Sequence, residues 1–230
     1  IAAALLQGRT TVAMMARRRT MKQLSKKELA DATANTLADY EKTADRFWAG
    51  TRDHDVSQNI DALLQNLRGA GPFRILDFGC GPGRDLKVFR DLGHEAIGLE
   101  GPQRFVELAR GYSGCEIWHQ DFLKLDLPPE FFDGIFANAS LFHVPSQELP
   151  RVLRELWASL KTDGVLFSSN PRGANQEGWN NERYCCYYDL ERWREMVTAA
   201  GFAEITHYCR PPGLPRDQQP WLASVWRKVQ

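Results

Sequence analysis

Apolar positions along the chain switch between two spacings. Ile60, Leu63, Leu64 and Leu67 recur at helical intervals, and Gly69 supplies a stop. Residues 73–77 then read as a strand, 84–92 as a helix ended by Gly93, and 96–100 as a second strand. A helix over 102–110 follows, with Pro102 at a first-turn position where its missing N–H costs nothing. Residues 115–119 and 132–138 read as the third and fourth strands. Leu149, Val152, Leu153, Leu156 and Leu160 mark a long helix before a fifth strand at 164–169. A helix over 190–200 stops at Gly201, ahead of strands near 202–208 and 221–229. This alternation predicts βαβ units in an α/β fold, with a mostly parallel sheet and helices on both faces.

Upstream, Ser25-Lys26-Lys27-Glu28 has the spacing of a capping box, in which each side chain satisfies the other's free backbone N–H. The helix it starts is expected to reach about Trp48, with Leu29, Leu37, Tyr40, Ala44 and Phe47 near one face. Residues 1–24 are expected to form a basic leader or arm, disordered or targeting. Residues 25–56 are expected to form a helical lid and 57–230 the main domain. The chain is expected in the cytoplasm, or in a mitochondrion or plastid if the leader is a transit peptide. Five cysteines without a C-x-x-C pair argue against a disulfide framework or structural zinc, and no run approaches the roughly 18 apolar residues of a membrane helix.

Zero net charge hides an asymmetry. Residues 1–27 hold seven basic side chains and no acid, which leaves 22 basic against 29 acidic residues in the rest. An acidic body has no global attraction for a polyanion, so nucleic acid is a poor default partner. A monomer or weak homodimer, without a membrane, is the expectation.

The sharpest local feature is Asp77-Phe78-Gly79-Cys80-Gly81-Pro82-Gly83, between the first strand and a helix. Glycines there permit close backbone approach by a ligand. A dinucleotide fingerprint would need glycine at position 84, which is Arg84. The turn resembles motif I of class I S-adenosylmethionine-dependent methyltransferases. Glu100, 23 residues after Asp77, stands where that family binds the ribose hydroxyls, and Asp121-Phe122 where it holds the adenine. Residues 132–138 and Leu160-Lys161-Thr162-Asp163-Gly164 resemble its fourth strand and its entry to the fifth. The resemblance covers about residues 37–230. It implies a Rossmann-like, doubly wound sheet of seven strands, the last antiparallel, and S-adenosyl-L-methionine as cofactor. The implied cofactor contacts are Asp77, Gly79, Cys80, Gly81, Gly83, Glu100, Gly101, Asp121, Phe122 and Asn138, with Tyr40 closing over them. Cys80 is read as a small packing residue of the turn and not as a nucleophile.

Such a cofactor carries its own leaving group, so the protein's task is to hold the acceptor in line. No metal is called for. The loop after the fourth strand should face the methyl group. Its Ser140 is a substrate candidate. His143 is the catalytic candidate, as general base or as a hydrogen-bond partner of an anionic acceptor; packing against a backbone carbonyl is the duller reading. Further substrate candidates are Trp48 and Thr51 in an expected loop over 48–55. Arg172, Tyr184, Tyr187 and Tyr188 are others, in an irregular segment over 170–188. Arg172 and Arg183 are candidate clamps for a carboxylate or phosphate. Methyl transfer to a small-molecule acceptor is the leading expectation; a protein or RNA methyltransferase, or an idle cofactor-binding subunit that activates a partner, are the alternatives.

Overall fold

The computed structural model describes residues 23–229, so the expected leader, apart from Gln23 and Leu24, lies outside the described residues. The capping box forms: Ser25 Oγ accepts from the Glu28 N–H and the Glu28 carboxylate accepts from the Ser25 N–H. Helix α1 then runs over Lys26–Thr51, past the expected end, so Trp48 and Thr51 lie on a helix and not in a loop. Leu24 is tied to the body, its N–H donating to Gln147 Oε1 at 2.6 Å and its carbonyl accepting from Gln147 Nε2 at 3.2 Å. The body therefore starts before the boundary at Ser25.

Beyond α1 the chain forms α2 (Ser57–Leu64), β1 (Arg74–Phe78), α3 (Arg84–Asp91), β2 (Glu95–Glu100), α4 (Gln103–Ser113), β3 (Glu116–His119) and β4 (Phe132–Asn138). After a short turn of helix at Leu141–His143 come α5 (Leu149–Ser159), β5 (Leu160–Pro171), β6 (Gln176–Asn180) and β7 (Arg183–Tyr187). Helix α6 (Leu190–Ala199), β8 (Phe202–Arg210) and β9 (Trp221–Lys228) complete the described chain. Seven strands form one sheet in the order β3-β2-β1-β4-β5-β9-β8. All pairs are parallel up to β5, and β9 runs antiparallel to both of its neighbours.

The near-continuous burial of β1, β2, β4 and β5 reflects helices on both sides. Leu76, Phe78, Ile135 and Leu166 face a core closed by α5 and α6. Their neighbours Ile75, Phe136, Val165 and Phe167 face the opposite core, closed by α2, α3 and α4. No helix among the described residues is long and apolar enough to cross a membrane.

The segment over 170–188 is not irregular. It carries the two-stranded hairpin β6–β7, which folds against α1: the Tyr184 N–H donates to Thr36 Oγ1 at 2.9 Å, and Arg183 Nε donates to Asp39 Oδ2 at 2.6 Å. On α1 the small residues Ala32, Thr36 and Ala44 are the buried ones, while Leu37, Tyr40 and Phe47 stay half-buried. The larger side chains line an open cleft rather than fill a core.

Candidate active site

That cleft lies at the carboxyl edge of the parallel strands, beneath α1. The turn after β1 leaves the strand at Gly79, whose φ of +78° and lack of a side chain are both required. A Cβ there would come within 2.5 Å of Ser140 Cβ and 3.0 Å of Phe122. At Gly83, φ +89°, a Cβ would lie 2.9 Å from the Ala109 backbone, so glycine lets α3 start against α4. Between them the Gly81 N–H donates to Glu100 Oε2 at 2.6 Å, and the Gly101 N–H donates to Glu100 Oε1 at 2.8 Å.

Glu100 is 7% exposed, and burial pushes its carboxyl up to about 7 against the pull of those two N–H groups. A carboxylate offers about four acceptor sites, so two remain for a ligand. Next to it, Asp121 Oδ1 accepts from the Leu123 N–H at 2.8 Å, and Phe122 stacks on Phe78 with centroids 4.2 Å apart. Glu100, Gly101, Asp121, Phe122, Gly79, Gly81, Tyr40, Ser140 and His143 all line one narrow cavity of about 90 Å³. Tyr40, Phe47, Gly79, Gly81 and Ala139 also line a wider cavity of about 720 Å³, so the two adjoin.

The wider cavity takes in Trp48, Thr51, Cys80 and Asn138 from the expected set. Asn138 is spoken for by the protein: its Nδ2 donates to Asp85 Oδ2 at 3.2 Å and its Oδ1 accepts from Asn59 at 3.0 Å. Asp77 lies behind the turn, lining neither cavity. Burial, and then the nearby Asp85, hold its carboxyl well above the usual range. Gly83 serves helix packing rather than the cavity wall.

Four substrate candidates line neither cavity. Arg172 Nη1 donates to the carbonyls of Arg216 and Gln219, which pins the β8–β9 connection. Tyr188 is 2% exposed in the core, Tyr184 packs edge-on against Trp179, and the Tyr187 hydroxyl accepts from Asn180. Arg183 is engaged by Asp39 and Thr43, with its guanidinium 3.7 Å above the Tyr40 ring.

His143 has both ring nitrogens engaged. Nδ1 lies 3.0 Å from the Tyr184 carbonyl, which can only accept, so Nδ1 carries the proton. Nε2, 2.8 Å from the Tyr40 hydroxyl, then accepts from it. Burial lowers the imidazole to about 4 and raises the Tyr40 phenol to about 12, so a neutral histidine faces a protonated tyrosine. Neither nitrogen is open to an acceptor.

Among the residues of the wider cavity that had no place in the expected site are Arg84, Arg210 and Trp221. The last two had a legible signal. The final strand was expected to be antiparallel, so its first residue and the last of the strand before it must reach the carboxyl edge.

A methyltransferase-domain family model matches residues 47–207. A sterol 24-C-methyltransferase of Clavispora lusitaniae is 33% identical over 183 residues, covering 68% of this chain and 47% of its own. A malonyl-[acyl-carrier protein] O-methyltransferase of Enterobacter lignolyticus is 30% identical over 110 residues, covering 47% and 43%. The chain thus spans less than half the length of these curated relatives. The fold matches that of Burkholderia thailandensis 1,6-didemethyltoxoflavin-N1-methyltransferase, solved with 1,6-didemethyltoxoflavin and S-adenosylhomocysteine. The TM-score is 0.73 at 20% identity, over 91% of this chain and 93% of the other.

Proposed function

The chain belongs to the methyltransferase-domain family, and from that premise we propose that it transfers a methyl group from S-adenosylmethionine to a small-molecule acceptor. One observation carries the reading: the buried Glu100 carboxylate and the glycine-turn backbone line a narrow cavity that shares a wall with a roomier one. The donor set fits the cofactor. Glu100 has acceptor capacity left for a ribose diol, the second oxygen of Asp121 has no partner among the described residues and is left for an adenine amino group, and Phe122 gives an apolar wall. Gly79 and Gly81 leave room for the methionine part beside Tyr40. When bound, the cofactor supplies a sulfonium leaving group, so methyl transfer is a single displacement.

The chain's own residues orient and enclose. Tyr40 and Phe47 of α1 border both cavities, so they stand at the junction where acceptor and methyl group would meet. His143 takes the Tyr40 proton in a hydrogen bond and thereby turns the phenol oxygen's lone pairs away from itself. We read it as a positioning residue for Tyr40 rather than as a general base. Its lowered proton affinity, next to Arg183, supports that assignment. The sterol named for one relative and the 1,6-didemethyltoxoflavin bound in the structural neighbour are small molecules, which supports a small acceptor in the wider cavity.

Two measurements test this. Calorimetry with S-adenosylhomocysteine should show binding that Glu100→Ala weakens about tenfold or more, the cost of a buried charged hydrogen-bonding partner. Incubation with methyl-labelled cofactor and a metabolite extract should place label in the small-molecule fraction. No heat of binding from the folded protein refutes the assignment; label confined to protein or RNA redirects it.

A further inference from the structure

Arg210 ends β8, and Trp221 begins β9 as its cross-strand partner, so the guanidinium and the indole reach the same carboxyl edge. Both line the wider cavity. Phe142 forms an adjoining wall, its ring 6.4 Å from that of Trp221 and nearly perpendicular at 85°. Across the cavity, Arg84 spends its whole fork, with Nε and Nη2 on Asp85 and Nη1 on the Thr51 carbonyl. Arg210 does not. Its Nη2 donates to the Asp55 carbonyl at 3.1 Å, while the buried Nε has no partner among the described residues. The nearby Asp55 carboxylate is exposed and turned onto the Ser57 N–H at 2.9 Å. A guanidinium in the cavity wall with donors left over, beside two aromatic walls, matches a carboxylate carried on a flat apolar body.

We propose that the wider cavity takes a methyl acceptor of that class, with its carboxylate on Arg210 and its flat body against Trp221 and Phe142. The proposal rests on the methyl-transfer reading, because it assigns the second cavity to the acceptor. The cofactor's own amino-acid carboxylate is the other source of the same chemistry, and the experiment separates the two.

Matched acid and amide probes (indole-3-acetate and indole-3-acetamide, cinnamate and cinnamamide, benzoate and benzamide) are titrated by ligand-observed NMR into the full chain. Each titration is run with and without saturating S-adenosylhomocysteine. At least one acid should bind about tenfold or more tightly than its amide. Arg210→Gln should abolish that preference, and Arg210→Lys should keep part of it. Both variants should retain the wild-type melting temperature and affinity for S-adenosylhomocysteine. A panel in which no acid outbinds its amide overturns the proposal, as does a preference that survives Arg210→Gln. Should Arg210→Gln weaken S-adenosylhomocysteine and leave the acids untouched, the guanidinium serves the cofactor and the proposal falls. Failure of S-adenosylhomocysteine to bind the wild type would instead remove the methyl-transfer reading, and the titrations run without it still report on Arg210.

Discussion

Two buried groups in the narrow cavity titrate in opposite senses, and their opposition is measurable. His143 is shifted from its ordinary 6.5 down to about 4, so between those values the unfolded chain binds more protons than the folded one. The stability tied to its neutral form is complete above pH 6.5 and lost as pH falls toward 4. Glu100 is shifted from 4.5 up to about 7, so the folded state binds the extra proton over that window and gains stability as pH falls. Each shift is worth about 3 kcal/mol, so between pH 7 and pH 5 the two should nearly cancel in the ligand-free protein. Urea unfolding of His143→Ala should show stability rising on acidification, and Glu100→Gln should show it falling. If His143→Ala keeps the wild-type slope, the imidazole is not held neutral. Of these two residues the sequence marked Glu100 by its place at the end of β2. The sequence marked His143 only as the imidazole of the loop after β4. Its engagement by Tyr40 was out of reach because the partners lie 103 residues apart on an element whose docking no local pattern encodes.

The elements read best from sequence are those whose period decides them. β4 has the expected bounds, and the helices α3, α5 and α6 agree within a residue or so at their ends, because their apolar spacings leave no alternative. The β6–β7 hairpin escaped for a physical reason. Its first strand, Gln-Glu-Gly-Trp-Asn, is polar, and its turn at Asn181-Glu182 lacks the Asn-Gly signature, although Asn181 does adopt φ +53°. Without the hairpin, the latch that holds α1 over the cleft was invisible. That latch is Arg183, a quarter exposed, bonded to Asp39 and stacked on Tyr40. A half-buried ion pair with a cation–π contact is worth about 1–2 kcal/mol, enough to change how often α1 lifts without unfolding the sheet. Hydrogen exchange of Arg183→Ala should therefore quicken along α1 and stay unchanged in β1, β4 and β5. S-adenosylhomocysteine should bind about tenfold more weakly. Unaltered exchange in α1 would mean that the hairpin does not govern the lid.

At the scale of the molecule, residues from Tyr40 to Trp221 meet at one edge because every parallel strand ends there and the antiparallel β9 begins there. The βαβ rhythm makes the strands parallel and their carboxyl ends common, so the edge that holds the site was legible. The identity of its far wall was not, since Arg210 and Trp221 flank a ten-residue connection that carries no motif. Charge then bears on the choice between a small acceptor and RNA. Residues 1–22 hold five basic side chains and no acid, while residues 23–230 hold 24 basic against 29 acidic ones. Any attraction for a polyanion should reside in the first segment and be steeply salt-dependent, with a slope of log K against log salt no steeper than about −3.5 for five contacts to a single strand. A chain starting at Gln23 should show no anisotropy change with a labelled 20-nucleotide RNA at 0.15 M salt. It should bind S-adenosylhomocysteine as the full chain does, because Leu24 and its Gln147 clamp are retained. Tight RNA binding by the shortened chain would reveal a basic surface on the folded body strong enough to overcome its net negative charge, and the acceptor would then have to be sought in RNA.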